Sequence, residues 1–236
     1  MIDDARRGAN TYWGSNAHGY GDVIAGAGDL TFDVNGASVS RAFGWLSVDI
    51  YTNFAGQAGV AGWAGPNGIG YGDLFLAPTW NPYGTDAHHN ADRASNGTLW
   101  SYALSLDNRW NNSGGSFNLY RLSGPSNLNN VLLPESFLTC GSACVYRDGQ
   151  AVAVNTRSTT VSLVGNGTWT VQPGELSFLL DVSGLDIAGW GDIAIHWGPT
   201  CQNDVIEGGG HIPEPASGAL LGMALIGLSL VRRRTN

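Results

Sequence analysis

Trp45-Leu46-Ser47-Val48-Asp49-Ile50-Tyr51 decides the fold class. Leu46, Val48 and Ile50 fall on one side of a period of two, with Ser47 and Asp49 on the other, the pattern of a half-buried strand and not of a helix. Strand-like runs continue outward from it: 30–34, 45–54, 73–77, 99–106, 116–122, 150–155, 159–164, 168–171, 176–182 and 192–197. Between them stand Asn35-Gly36, Asn96-Gly97, Asp148-Gly149 and Asn166-Gly167, pairs that favour tight turns because both central residues take positive φ. Short strands at this spacing predict an all-β body, an antiparallel β-sandwich or jelly roll. Residues 52–72 and 87–97 are expected as long loops at the strand ends.

Composition agrees and narrows the function. Helix formers are scarce: Lys is absent and Glu occurs four times, while Gly reaches 35 of 236 residues, about twice the usual share of ~7%. Charged residues make up 13% of the chain. Three of the eleven arginines lie in the last five residues, so residues 1–212 are more acidic, near −10, than the whole chain at −8. A lysine-free acidic body has little with which to displace counterions from a phosphate backbone, which excludes nucleic acid as a partner.

The C-terminus obeys other rules. After His211-Ile212-Pro213-Glu214-Pro215 comes a charge-free run of small and aliphatic residues, 216–231, and then Arg232-Arg233-Arg234. Sixteen residues as a helix span about 24 Å at ~1.5 Å per residue, a minimal crossing of a bilayer core about 30 Å thick. The arginines are expected in the cytoplasm and the body outside. The expected organisation is an extracytoplasmic domain over 1–207, a Gly-rich linker over 208–212 and a membrane-address tail over 213–236.

The order Pro-Glu-Pro, apolar run, Arg cluster resembles the PEP-CTERM sorting signal of exosortase-dependent surface proteins of Gram-negative bacteria. The resemblance implies that Pro213, Glu214, Pro215, Arg232, Arg233 and Arg234 are read by an exosortase, a membrane-embedded cysteine transpeptidase-like enzyme. It also implies an inner-membrane precursor held through 216–231 and a final place at the cell surface or outside it. His196-Trp197 followed by Cys201-Gln202-Asn203-Asp204-Val205-Ile206-Glu207-Gly208 is similar to a stretch that precedes the signal in many such proteins. Their usual secretory signal peptide has no counterpart in Met1-Ile2-Asp3-Asp4-Ala5-Arg6-Arg7, so the export signal is expected upstream of this start.

In the body, Cys140-Gly141-Ser142-Ala143-Cys144 is a short loop in an oxidising compartment and is expected to close as a disulfide, leaving Cys201 outside the pair. Asp86, His88, His89 and Asp92 form the dense group of titratable side chains, but adjacent His88 and His89 would point to opposite faces of an extended strand and the group reads as a solvated loop. Recurrent Gly19-Tyr20-Gly21-Asp22, Gly70-Tyr71-Gly72-Asp73 and Gly189-Trp190-Gly191-Asp192 read as turns entering strands. Ca²⁺ is the candidate ion should their carboxylates converge; otherwise no cofactor and no metal site is expected. Trp63 and Trp80, in Gly/Pro/Asn-rich contexts, are the aromatics expected to be exposed and to stack on a surface polysaccharide. Nucleophile-elbow, zincin and P-loop motifs are absent from the sequence. The expectation is a non-enzymatic surface or matrix protein contributing to envelope or biofilm structure. A secreted carbohydrate-binding module and an extracellular hydrolase are the alternatives.

Overall fold

A computed structural model describes residues 1–2, 21–22, 30–86, 89, 91–123, 129–139, 147 and 149–212. Among these residues the structure is all-β, without an α-helix. The strands are β1 (Gly21–Asp22), β2 (Val34–Ala42), β3 (Trp45–Thr52), β4 (Leu74–Ala77), β5 (Tyr102–Leu106), β6 (Gly114–Leu122), β7 (Val131–Leu132), β8 (Ala153–Val154), β9 (Val161–Gln172), β10 (Glu175–Asp181), β11 (Asp192–Trp197) and β12 (Asp204–His211). In β3 the alternation holds: Leu46, Val48 and Ile50 are buried, and they pair in register with the buried Leu180, Phe178 and Leu176 of β10.

One antiparallel sheet runs in the order β1-β12-β11-β4-β5-β6-β9-β10-β3-β2. Two packed sheets were expected. Instead this single sheet curls until its ends meet, nearly closed into a barrel. At the seam the Val34 N–H donates to Asp204 Oδ2 at 2.6 Å, tying β2 to β12. Ile2 fills the gap above, exchanging backbone hydrogen bonds of 2.7 and 2.8 Å with Ala37. Curling hides the two edges that an open sheet would present to other chains. The inner face buries Trp169, Trp197, Phe117 and Phe178 in the main core. A second cluster of Phe75, Trp100, Ala103, Val131 and Val154 lies on the outer face, where the small β7–β8 sheet packs.

Two of the expected turns are not turns, whereas Asn96-Gly97 is one. Gly36 sits at a bulge inside β2, with φ 136°, so this strand extends well past the 30–34 run. Asn166-Gly167 lies within β9, joining two runs read separately as 159–164 and 168–171. A Cβ on Gly167 would stand 2.3 Å from the Phe117 ring and 2.4 Å from the Leu179 carbonyl, so the glycine serves packing. The tight hairpins are at Phe43-Gly44 and Pro173-Gly174.

The segment 208–212, expected as a linker, is also ordered. Gly208, Gly209, Gly210 and His211 belong to β12 and pair with Ile195, Ala194, Ile193 and Asp192. The Ile212 N–H then bonds the Gly191 carbonyl at 2.9 Å. Glycine is needed because a Cβ on Gly208 would meet Ile2 at 2.7 Å and one on Gly209 would meet Trp80 at 2.8 Å.

The register sorts the connections into two ends. The loop end carries 53–73, 107–113, 173–174 and 198–203. The exit end carries the Phe43-Gly44 turn, the 78–101 and 182–191 connections, and the departure of the chain after Ile212.

Candidate functional site

On the outer face of the last two strands, facing positions bring His196 and Glu207 together. His196 Nδ1 lies 2.8 Å from Glu207 Oε2. Nε2 lies 2.8 Å from the Ala151 carbonyl, an acceptor only, so this nitrogen carries a proton. The imidazole is enclosed by the rings of Phe75 and Trp100, at 5.9 and 5.7 Å between centroids. Glu207 Oε1 accepts the Trp80 indole N–H at 3.2 Å and faces the Thr98 hydroxyl at 3.5 Å.

Asp92, from the 78–101 connection, completes the group. Its Oδ1 accepts the Tyr83 N–H at 2.6 Å. Burial raises its carboxyl, and the neighbouring Glu207 charge raises it further, to about 7, with His196 opposing. Two carboxyls and an imidazole in mutual reach belong to the vocabulary of acid–base catalysis. Here all three are buried, and their bonds go to Tyr83, Trp80 and Ala151. The arrangement clamps the 78–101 connection onto β12.

Outside this clamp lies an open groove of about 320 Å³, lined by Pro78, Thr79, Trp80, Ile193, Gly209 and Gly210. Asp192 and His211, 3.1 Å apart and exposed, form its polar rim.

The sequence candidates are distributed as follows. Trp80 is half-buried at the groove, whereas Trp63 is 63% exposed in a 3-10 turn at the loop end, so the two do not share a face. His89 packs edge-on against Trp80 at 5.7 Å and meets the Gly84 carbonyl at 2.8 Å through Nδ1. Asp92 is in the clamp, not in a solvated loop as expected, because Glu207 and Tyr83 draw it inward. Asp86 is exposed, and His88 lies outside the described residues. Asp73 is buried at the loop end and bonded to Arg109 at 3.0 Å, while Asp192 stands at the exit end, so these two carboxylates do not converge. Among the described residues no group of three or more His, Cys, Asp or Glu is placed to hold a metal ion. Cys201 is in the main core.

Cys140 and Cys144 lie outside the described residues, as do Pro213, Glu214, Pro215, the 216–231 run and Arg232, Arg233 and Arg234. Among the described residues no helix is long and apolar enough to cross a membrane. The His196–Glu207 pair escaped the sequence. Both residues stand in the His-Trp and Asn-Asp-Val-Ile-Glu-Gly stretch, but only the register of β11 and β12 makes them neighbours.

Comparison with known proteins returns one match. Residues 211–234 fit the family model of the PEP-CTERM protein-sorting motif. No curated protein and no solved structure matches the chain. The motif marks a surface protein sorted by the exosortase route, with an exported, membrane-anchored precursor.

Proposed function

We propose that this chain, which carries a PEP-CTERM sorting motif, is a non-enzymatic display protein whose barrel is exported, held in the inner membrane by 216–231 and handed to an exosortase. Its role is to contribute to envelope or biofilm structure. The observation that carries this reading is the position of the motif: it starts at His211, the last residue of β12, so the sorting signal continues directly from the strand that closes the barrel. The absence of catalysis is supported by the fate of the acid and imidazole groups. Asp92, Glu207 and His196 are buried and bonded to the fold.

The test is made in an exosortase-bearing host and in its exosortase deletion. Processing to a shorter surface form in the first, and accumulation of the full-length membrane form in the second, is the expected result. Replacing Arg232, Arg233 and Arg234 with Gln should leave unprocessed chain. Equal processing in both hosts would end the exosortase reading. Turnover of glycosidase, esterase or protease substrates by the purified protein, lost in Asp92→Asn or His196→Gln, would end the non-enzymatic one.

A second reading, carbohydrate binding, is favoured by the groove beside Trp80. An indole held by Glu207, with Asp192 and His211 at the rim, offers a stacking surface and polar groups for sugar hydroxyls. Binding on a glycan array that is lost in Trp80→Ala would support it.

A further inference from the structure

We infer that the exit end of the barrel docks on the lipid surface, with the Phe43 turn and Trp45 entering the headgroup layer while the precursor is membrane-anchored. The inference rests on the anchored-precursor reading above. The tip of the β2–β3 hairpin is Phe43-Gly44, with φ of 51° and 84°. Positive φ at both central residues defines a turn that favours Asn, Asp or Gly, and a bulky aromatic there is disfavoured. Yet Phe43 occupies it, 89% exposed, and Trp45 beside it is 47% exposed. Neither the local backbone nor the core explains an aromatic at this tip, and a strained residue held out into solvent points to a contact made elsewhere.

Chain length says what that contact is. β2 adjoins β12 at the seam, where Val39, Gly210 and His211 line one crevice. Both strands run toward the exit end, since Asp204 meets Val34 at the far end of the same pair. Phe43 lies four residues beyond Val39, about 13 Å along a strand. The described chain leaves from the same place at Ile212, and the apolar run starts at Ala216. Those four residues reach at most about 14 Å. Once the run is inserted, the bilayer surface therefore stands within about 14 Å of Ile212, comparable with the height to which Phe43 and its ring project. Aromatic side chains settle at that interface. Asp181, opposite Trp45 in register, and Asp192 are acidic, so insertion of aromatics and not charge attraction makes the contact.

The test uses the full chain in phosphatidylethanolamine–phosphatidylglycerol vesicles containing acyl-brominated lipid, which quenches tryptophan near the bilayer. The vesicles are first floated to show that the chain is anchored. The expected result is partial quenching that survives high salt. Trp45→Phe should remove quenched emission, and Trp63→Phe, at the opposite end, should remove unquenched emission. Phe43→Asn should lower Trp45 quenching while raising the unfolding midpoint, a pairing of signs that a misfolded variant does not give. Chain that floats but shows Trp45 and Trp63 equally quenched, or neither quenched, overturns the docking. Chain that does not float overturns the anchored precursor, and the docking with it.

Discussion

At the loop end Asp73 is buried and fully answered: Arg109 at 3.0 Å, the Leu106 N–H at 3.2 Å and the Val154 N–H at 2.9 Å. The Arg109 guanidinium also bonds the Tyr71 carbonyl at 2.7 Å and lies 4.9 Å over the Phe137 ring. The Tyr71 hydroxyl accepts the Gly56 N–H and donates to Asn112 Oδ1 at 2.6 Å. Long connections, 53–73 and 107–113, are thereby plugged into the barrel mouth. The Asp92–Glu207–His196 clamp holds the 78–101 connection on the outer face, and the exit end itself leaves Phe43 and Trp45 bare. One end spends its unusual residues on closing the core; the other keeps some of them for a surface. The sorting motif leaves from the second.

The largest effect should come from breaking the loop end. Asp73→Ala strands Arg109 in the interior, and removing one partner of a buried pair costs about 3–5 kcal/mol. Urea denaturation of the purified protein should show the loss, and a change below about 1 kcal/mol would mean that the end is not held as described.

Next is the contact of Trp80 with β12. Gly209→Val drives a side chain into Trp80, from which even a Cβ would be 2.8 Å away. Overpacking of this kind costs about 1–3 kcal/mol, and the indole fluorescence of Trp80 should shift as its bond to Glu207 is lost. An unchanged spectrum and unchanged stability would show that Trp80 is not seated on β12.

The clamp also makes a pH prediction. Folded Asp92 keeps its proton up to about pH 7, whereas an unfolded Asp releases it near 3.9 (roughly, for a model peptide). Across that interval the folded state binds more protons, so this group's contribution to stability is complete below the lower value and declines as pH rises to the upper. Asp92→Asn should flatten that slope, and stability curves measured across the interval should converge at the acid side and part toward neutral pH. Parallel curves would remove Asp92 from the clamp.

The smallest effect has the opposite sign. Phe43→Asn relieves a left-handed conformation that costs about 1–2 kcal/mol in an L residue, less for Asn. A gain near 1 kcal/mol is expected, against a change within about 0.5 kcal/mol for exposed Trp63→Ala at the other end.

Much of the barrel was legible because its strands are half-buried. The alternation read in β3 survives intact, β10 falls on the run read over 176–182 and shows the same pattern, and β11 occupies the residues read for it. Glycine misled, since one residue type serves two purposes. Gly44 and Gly174 supply positive φ to turns, while Gly167, Gly208 and Gly209 leave room for Phe117, Ile2 and Trp80. Local sequence does not separate a glycine that bends the chain from one that lets another residue approach. Trp80, His89 and Asp92 were singled out, but Glu207 and His196 join them only through strand register.

The sequence by itself determined the β class, through period-two alternation, and the sorting address, through a contiguous motif read without folding. Both are local patterns. Tertiary structure decided that one sheet curls on itself instead of two sheets packing, that the glycine tract is strand, and that the acids near Trp80 form a clamp. It also placed Phe43 and the chain's departure at one end. Each of these depends on residues far apart in the chain becoming neighbours, as Asp204 and Val34 do at the seam, and no local pattern encodes which distant strand a given strand will meet.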